Sequence, residues 1–182
     1  MKYTKEYRVR LLDPESWKQT ARQLIEAAAL LEPKIDEFWK HLGTQRANVS
    51  SWRPWNDEFV AIYFMLCAYA IENLLKAQII QKKKPKICAQ IGAKPTLPKV
   101  LKEHDLYRLT IEAGFLELAK EEEMLLRRLS RCSVWYGRYP VPLTTAALQT
   151  IHPSENYDFD ISLTAYTSTD RQEIQRIVQR LS

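Results

Sequence analysis

The sequence predicts an all-α fold, an up-and-down helical bundle of about five main helices. The chain has 182 residues and only 4 glycines, and it is rich in the helix-forming residues Leu, Ala, Glu, Lys and Arg. Its balance of 46% apolar and 27% charged residues is typical of a globular protein. The length suits one domain over residues 1–182, with a core at 14–142 and a C-terminal extension at 143–182.

Local signals place the helices of the first half of the chain. Asp13-Pro14 predicts a helix start, because an Asp side chain caps the first turn and proline fits its first position. Pro33 breaks or restarts that helix. A second long helix is predicted at residues 57–82. Its first half is apolar on nearly every side, so we expect it at the centre of the bundle.

The second half of the chain begins with a change of composition. Seven lysines, three prolines and no acid between residues 82 and 102 predict a basic, mobile connection with little regular structure. A shorter helix is expected within 101–114, with Asp105 as its cap, and a fourth helix over 116–136. A capping box that begins at Thr169 predicts the start of the last helix.

Charge, cysteines and hydropathy limit the classes of protein. The net charge of +5 is a modest bias toward anionic partners. The three cysteines show no CxxC spacing, which favours reduced thiols over a disulfide framework or a zinc site. No signal peptide is recognisable, and the apolar run at 59–71 is shorter than the roughly 20 residues that span a bilayer. We therefore expect a cytoplasmic protein without a membrane segment, metal or cofactor.

One side of the predicted fourth helix carries arginines. At about 100° per residue, Arg127, Arg131 and Arg138 fall together, with Trp135 beside them. Guanidinium groups next to an indole ring can hold an anion and stack a base. The alternative is a solvated face or an internal ion pair, because Glu123 lies four residues before Arg127.

Two further ionisable residues stand out. Glu72 lies among apolar residues of the second long helix, so its charge needs a partner. Lys76 supplies one locally, and an arginine from the fourth helix would supply a stronger, bidentate one. The Glu72 pair is either structural or orients an arginine in a site. His104 precedes Asp105 at a helix start, which suits either a capping or packing residue or a catalyst.

Three segments, taken in order, resemble the HEPN domains of prokaryotes. They are YAIENLLKA at 69–77, HDLYRL at 104–109 and RRLSRCSVWYGRYPVP at 127–142. The resemblance covers residues 57–142. It implies a small all-α bundle that is commonly a homodimer. Many such domains are metal-independent ribonucleases of toxin–antitoxin, CRISPR or phage-defence systems, and others are RNA-binding, nucleotide-binding or scaffolding modules.

The catalytic pattern of the family is incomplete in this chain. The family motif resembles an arginine followed four to six residues later by a histidine. Arg131 matches the arginine, but Tyr136, Gly137 and Arg138 stand where the histidine is expected. Tyrosine is a poor base at neutral pH because its pKa is about 10. His104 can replace the histidine only if the fold brings it close to Arg131.

The sequence therefore predicts a dimeric RNA- or nucleotide-binding module that is degenerate as a nuclease. One alternative is a divergent metal-independent ribonuclease, with Arg131 as catalytic residue and Tyr136 or His104 in the proton role. Another is a structural subunit that packs on a second copy or on an antitoxin-like protein. The candidate binding residues are Glu72, Lys76, Arg127, Trp135, Arg138 and Tyr139.

Overall fold

The computed structural model describes residues 2–45, 58–91, 96–115, 117–136, 138 and 166–182. Within these ranges the chain forms seven α-helices: α1 (Lys2–Leu11), α2 (Pro14–Ala29), α3 (Glu32–Gln45), α4 (Glu58–Gln90), α5 (Leu106–Glu112), α6 (Lys120–Arg131) and α7 (Asp170–Leu181). A 3₁₀ turn at Lys99–Lys102 precedes α5, and a π-helical turn at Cys132–Tyr136 follows α6. The described ranges contain no β-strand, which confirms the all-α prediction.

The long helix α4 is the centre of the fold, as its composition predicts. It packs along α2 and also contacts α3, α5, α6 and α7. Phe64, Ile71, Leu75 and Ile79 are fully buried, because neighbouring helices cover most of its surface. Among the described helices, α4 alone is long and apolar enough to cross a membrane (Phe59–Gln90), and the central helix of a bundle meets the same criteria.

The prediction of little regular structure at 82–102 is wrong for much of that segment. The helix α4 continues to Gln90, with non-helical angles at Lys83 (φ −120°, ψ 19°). Pro85 follows this kink directly, in the first turn of the resumed helix, where a missing N–H breaks no hydrogen bond. Ile87 is buried within the resumed helix, and Ile91, directly after its end, is buried as well, so this lysine-rich segment packs on the core.

The capping signals correctly locate two helix starts and one break. Asp13 accepts hydrogen bonds from the backbone N–H groups of Glu15 and Ser16, at 3.2 and 3.0 Å. Asp105 accepts one from the backbone of Arg108 at 3.1 Å, and α5 follows it. Pro33 lies in the first turn of α3, just after α2 ends. Each signal acts within one turn, so it does not depend on tertiary packing.

Two predictions about the later helices need correction. The helix predicted at 116–136 is α6, and it spans only Lys120–Arg131. It ends at Arg131 because the following residues adopt the wider π-helical turn. The predicted capping box at the start of α7 does not form, since the Thr169 side chain makes no capping hydrogen bond. Instead, the Asp170 carboxylate accepts a hydrogen bond from the backbone N–H of Thr167 at 2.8 Å.

The last helix, α7, is part of the hydrophobic core. Ile174, Ile177 and Leu181 are buried, and α7 packs against α4 and α6. A buried bidentate ion pair fixes its start: two nitrogens of Arg128 lie 2.7 Å from the two carboxylate oxygens of Asp170. Residues outside the range 14–142 therefore contribute to the core.

The three cysteines are unpaired and differ in exposure. Cys67 and Cys132 are buried, while Cys88 lies exposed near the end of α4. Burial raises the pKa of the Cys67 thiol to about 12, and it raises the pKa of the Cys132 thiol to about 12 as well. The two buried thiols are therefore held in their neutral form by the fold.

Candidate functional site

A buried carboxylate on α4 connects the core to the surface. Glu72 Oε1 lies 2.6 Å from Nζ of Lys76, and Glu72 Oε2 lies 3.0 Å from Nδ1 of His104. The Glu72 and Lys76 side chains are buried, whereas the His104 side chain is 58% exposed. The predicted Glu72–Lys76 pair is confirmed, and the second partner of Glu72 is a histidine rather than an arginine of α6.

The contact with Glu72 fixes the orientation of the imidazole ring. A carboxylate paired with a lysine accepts hydrogen bonds and donates none, so Nδ1 of His104 carries the proton. In the neutral ring, Nε2 is then the free acceptor. A histidine oriented in this way by an acid can in principle take a proton from a bound molecule. His104 therefore makes a contact with the buried Glu72 in addition to preceding Asp105, the cap of α5.

A surface cavity brings His104 and Arg131 together. The cavity, which we call the arginine cavity, has a volume of about 370 Å³ and lies between α6 and the start of α5. It is lined by Glu103, His104, Asp105, Arg108, Arg127, Ser130, Arg131 and Val134. His104 and Arg131 thus line one cavity, whereas the role of His104 as a substitute for the family histidine stays a prediction.

A serine holds the two walls of the arginine cavity at a fixed distance. The hydroxyl of Ser130 on α6 donates a hydrogen bond to the carbonyl of Leu126 at 2.7 Å. It accepts a second one from the backbone N–H of Leu106, at the start of α5, at 2.9 Å. This contact keeps the turn that carries His104 beside the helix that carries Arg131.

The three arginines of the cavity have different surroundings. Arg127 pairs with Glu123 at 2.8 Å, as predicted, and its guanidinium lies 4.0 Å from the ring centre of Tyr107. Arg108 is largely exposed, with carboxylates of Glu103 and Asp105 at 3.7 and 3.6 Å. Arg131 forms no ion pair with any acid of the described ranges.

The local backbone determines the charge of Glu103 at the edge of the cavity. Its carboxylate accepts hydrogen bonds from the backbone N–H groups of Asp105 and His104, at 3.1 and 3.0 Å. The bond from Asp105 is the largest of the effects that hold the pKa of this carboxyl below its usual range. Glu103 therefore remains an anion near neutral pH and attracts Arg108.

The predicted common face of three arginines holds for Arg127 and Arg131 but not for Arg138. The guanidinium of Arg138 lies 5.2 Å from the ring centre of Tyr69 on α4. The π-helical turn after α6 explains the difference, because its wider turn changes the rotation per residue that the helical wheel assumes. The side chains of Trp135 and Tyr136, and all of Tyr139, lie outside the described part of the chain.

Sequence analysis missed Glu103, Arg108 and Ser130. Arg108 lies within the HDLYRL segment, but its helical spacing gives no sign that it faces α6. The role of Ser130 depends on a contact across 24 residues of sequence, which no local pattern encodes. Among the described residues, no group of three His, Cys, Asp or Glu side chains is placed to hold a metal ion.

Comparisons with known proteins identify no relative. No family model matches the chain, and no curated protein or solved structure is significantly similar to it. The function must therefore be inferred from the geometry of the site itself.

Proposed function

We propose that this chain is an HEPN-like RNA-binding module that holds a backbone phosphate in the arginine cavity. The observation that carries the proposal is Arg131, a half-buried cation without an acidic partner in the described ranges, inside a cavity that two other arginines line. Arginine presents a planar set of donors that fits phosphate oxygens, and phosphate contacts position a protein on RNA. On the resemblance, the proposal extends to a cytoplasmic homodimer of a toxin–antitoxin or phage-defence system.

The charge balance of the cavity favours an anionic ligand. Three arginines face two acids, Glu103 and Asp105, and both of these acids lie near Arg108. Arg127 has its own partner in Glu123, on the same helix. A phosphate at Arg131 therefore gains a charge-assisted interaction without breaking an existing ion pair.

The test is a binding assay with labelled single-stranded RNA in EDTA across a salt series. For single strands, the slope of log affinity against log salt is about −0.7 for each phosphate contact. Arg131→Gln should weaken binding and make this slope shallower by about 0.7, which corresponds to one phosphate contact. The control is Arg176→Gln, which removes the same charge from an exposed arginine of α7. Equal losses in both variants contradict the assignment, and no binding at all favours the structural-subunit alternative.

A second function, metal-independent RNA cleavage, is favoured by the Glu72–His104 contact. Nε2 of His104 would take the proton of a ribose 2′-OH, whose oxygen attacks the adjacent phosphorus. The bond from phosphorus to the 5′ oxygen then breaks, and the imidazolium or water returns a proton to that oxygen. Arg131 stabilises the charge that develops on the phosphorane oxygens. The products are a 2′,3′-cyclic phosphate and a 5′-OH end.

Cleavage and binding can be separated with two variants. His104→Gln should abolish cleavage in EDTA while RNA binding persists, whereas Arg131→Gln should reduce both. An RNA with a single 2′-deoxy residue at the cut site should bind normally and stay intact. If the wild-type protein binds RNA but leaves it whole, the site holds RNA without cutting it, and the ribonuclease alternative is wrong.

A further inference from the structure

A second basic cavity adjoins the arginine cavity. This lysine cavity has a volume of about 360 Å³ and lies between the end of α4, the 3₁₀ turn and α5. Its cationic walls are Lys83 and Lys86 of α4 and Lys99 of the 3₁₀ turn. Glu103 and Arg108 line both cavities, so the two cavities are neighbours.

One of the three lysines that line this cavity forms an ion pair within the described ranges, and the other two do not. Lys83 pairs with Glu112 at 2.7 Å. Lys86 and Lys99 form no ion pair with an acid in the described part of the chain. Two such cations on different elements, facing one cavity, make it attractive to anions. Each cavity thus holds unpaired positive charge, and the two lie side by side.

The walls of the lysine cavity are held by the fold. Nζ of Lys82 donates a hydrogen bond to the carbonyl of Ala113 at 2.6 Å, which ties the end of α5 to α4. The Lys83–Glu112 ion pair lies beside this contact. The buried Ile87 anchors the part of α4 that carries Lys86. A ligand therefore meets lysines placed on fixed elements of the bundle.

We propose that the two cavities hold different phosphates of one RNA strand, which passes over Arg108 between them. This inference rests on the proposed function and narrows its substrate class from RNA to single-stranded RNA. One phosphate can fill only one of the two cavities. A single strand can bend its backbone into both, and a basic groove that follows the backbone is how proteins bind single strands. Duplex RNA presents its phosphates on a regular, convex helix that fits two recessed cavities poorly.

The experiment measures the affinity for oligouridylates of increasing length, from uridine 5′-monophosphate to a 12-mer, in EDTA. The test protein is the double variant Lys86→Gln/Lys99→Gln. Its matched control is Lys84→Gln/Lys102→Gln, which removes two exposed lysines from the same helix and the same 3₁₀ turn but outside the cavity. Circular dichroism verifies that all variants are folded.

We expect wild-type affinity to rise steeply with length and then level off. The test variant should bind the 12-mer about tenfold more weakly. Its plot of log affinity against log salt should be shallower by about 1.4, which corresponds to two phosphate contacts. Its affinity for the mononucleotide should stay within about twofold of the wild type, because that ligand needs the arginine cavity alone. The control variant should match the wild type at every length.

Two outcomes overturn the inference and leave the proposed function intact. One is a 12-mer that binds no more tightly than the mononucleotide while both depend on Arg131. The other is a test variant that behaves like its control at every length. Binding of no RNA and no nucleotide by the wild type contradicts the proposed function itself, and the inference fails with it.

Discussion

Arg127 and Arg128 are neighbours on α6, and we expect their substitutions to have opposite consequences. The Arg128 side chain is 10% exposed and forms the buried bidentate pair with Asp170, which is 8% exposed. The Arg127 side chain lines the arginine cavity and pairs with Glu123 one turn away on the same helix. Methionine in place of Arg128 should therefore impair stability, and methionine in place of Arg127 should impair RNA binding.

The magnitudes follow from burial. Removing one partner of a buried ion pair leaves the other charge uncompensated and costs about 3–5 kcal/mol, which we expect for Arg128→Met. For Arg127→Met the losses are a partly exposed pair of helical spacing, about 0.3–0.5 kcal/mol, and a contact with the Tyr107 ring, about 0.5–1 kcal/mol. In a protein of this size, 1 kcal/mol shifts Tm by about 2–4 °C, so Arg128→Met should lower Tm by roughly 6–20 °C.

The assay is urea and thermal unfolding followed by circular dichroism, with RNA binding measured on the folded variants. A double variant, Arg128→Met/Asp170→Leu, removes both charges and should regain most of the lost stability. It should not regain all of it, because Asp170 also accepts the hydrogen bond from the backbone of Thr167. A cost for Arg128→Met no larger than that for Arg127→Met would refute this reasoning.

Three further predictions concern the thiols and one glycine. At pH 8 a thiol reagent should modify one cysteine, Cys88, in the native protein and three after unfolding, because Cys67 and Cys132 are buried; more than one in the native state contradicts this. Burial raises the pKa of Cys67 and Cys132 to about 12, whereas a thiol of the unfolded chain has a pKa of 9.0. The stability that these neutral, buried thiols contribute is therefore complete below pH 9.0 and is lost as the pH rises toward 12. The urea midpoint should therefore be lower at pH 10 than at pH 7, and equal midpoints would speak against it. Gly114→Ala should reduce the free energy of unfolding by about 1–2 kcal/mol, since φ is +82° there. A Cβ would meet Nζ of Lys82 at an ordinary 3.5 Å, so the cost is in the backbone, and an unchanged urea midpoint would exclude it.

Sequence analysis located the features that depend on neighbouring residues. The caps at Asp13 and Asp105 act within one helical turn, and the Glu72–Lys76 pair joins residues four apart on one helix. The prediction of little regular structure at 82–102 is wrong for much of that segment because it rests on the lysines and prolines, which are local features. Ile87 is buried where α4 continues beyond the kink, and burial depends on the tertiary structure.

The decisive contacts of the candidate site join distant parts of the sequence. Glu72 and His104 are 32 residues apart, and Leu106 and Ser130 are 24 residues apart. The sequence shows that Glu72 needs a partner, but the identity of that partner depends on how α5 packs against α4. Likewise, the helical wheel could not place Arg138, because the chain leaves regular α-helical geometry at Cys132.

The distribution of exposed and buried thiols allows the native protein to be labelled at a single position. Cys88, the exposed cysteine, lies on α4 between Lys86 and Gln90, both of which line the lysine cavity. A maleimide dye would attach at this position without any engineered cysteine, because the other two thiols are buried. If the proposed RNA site is correct, the emission of this dye should change when RNA is added, so the proposal can be screened with the wild-type chain.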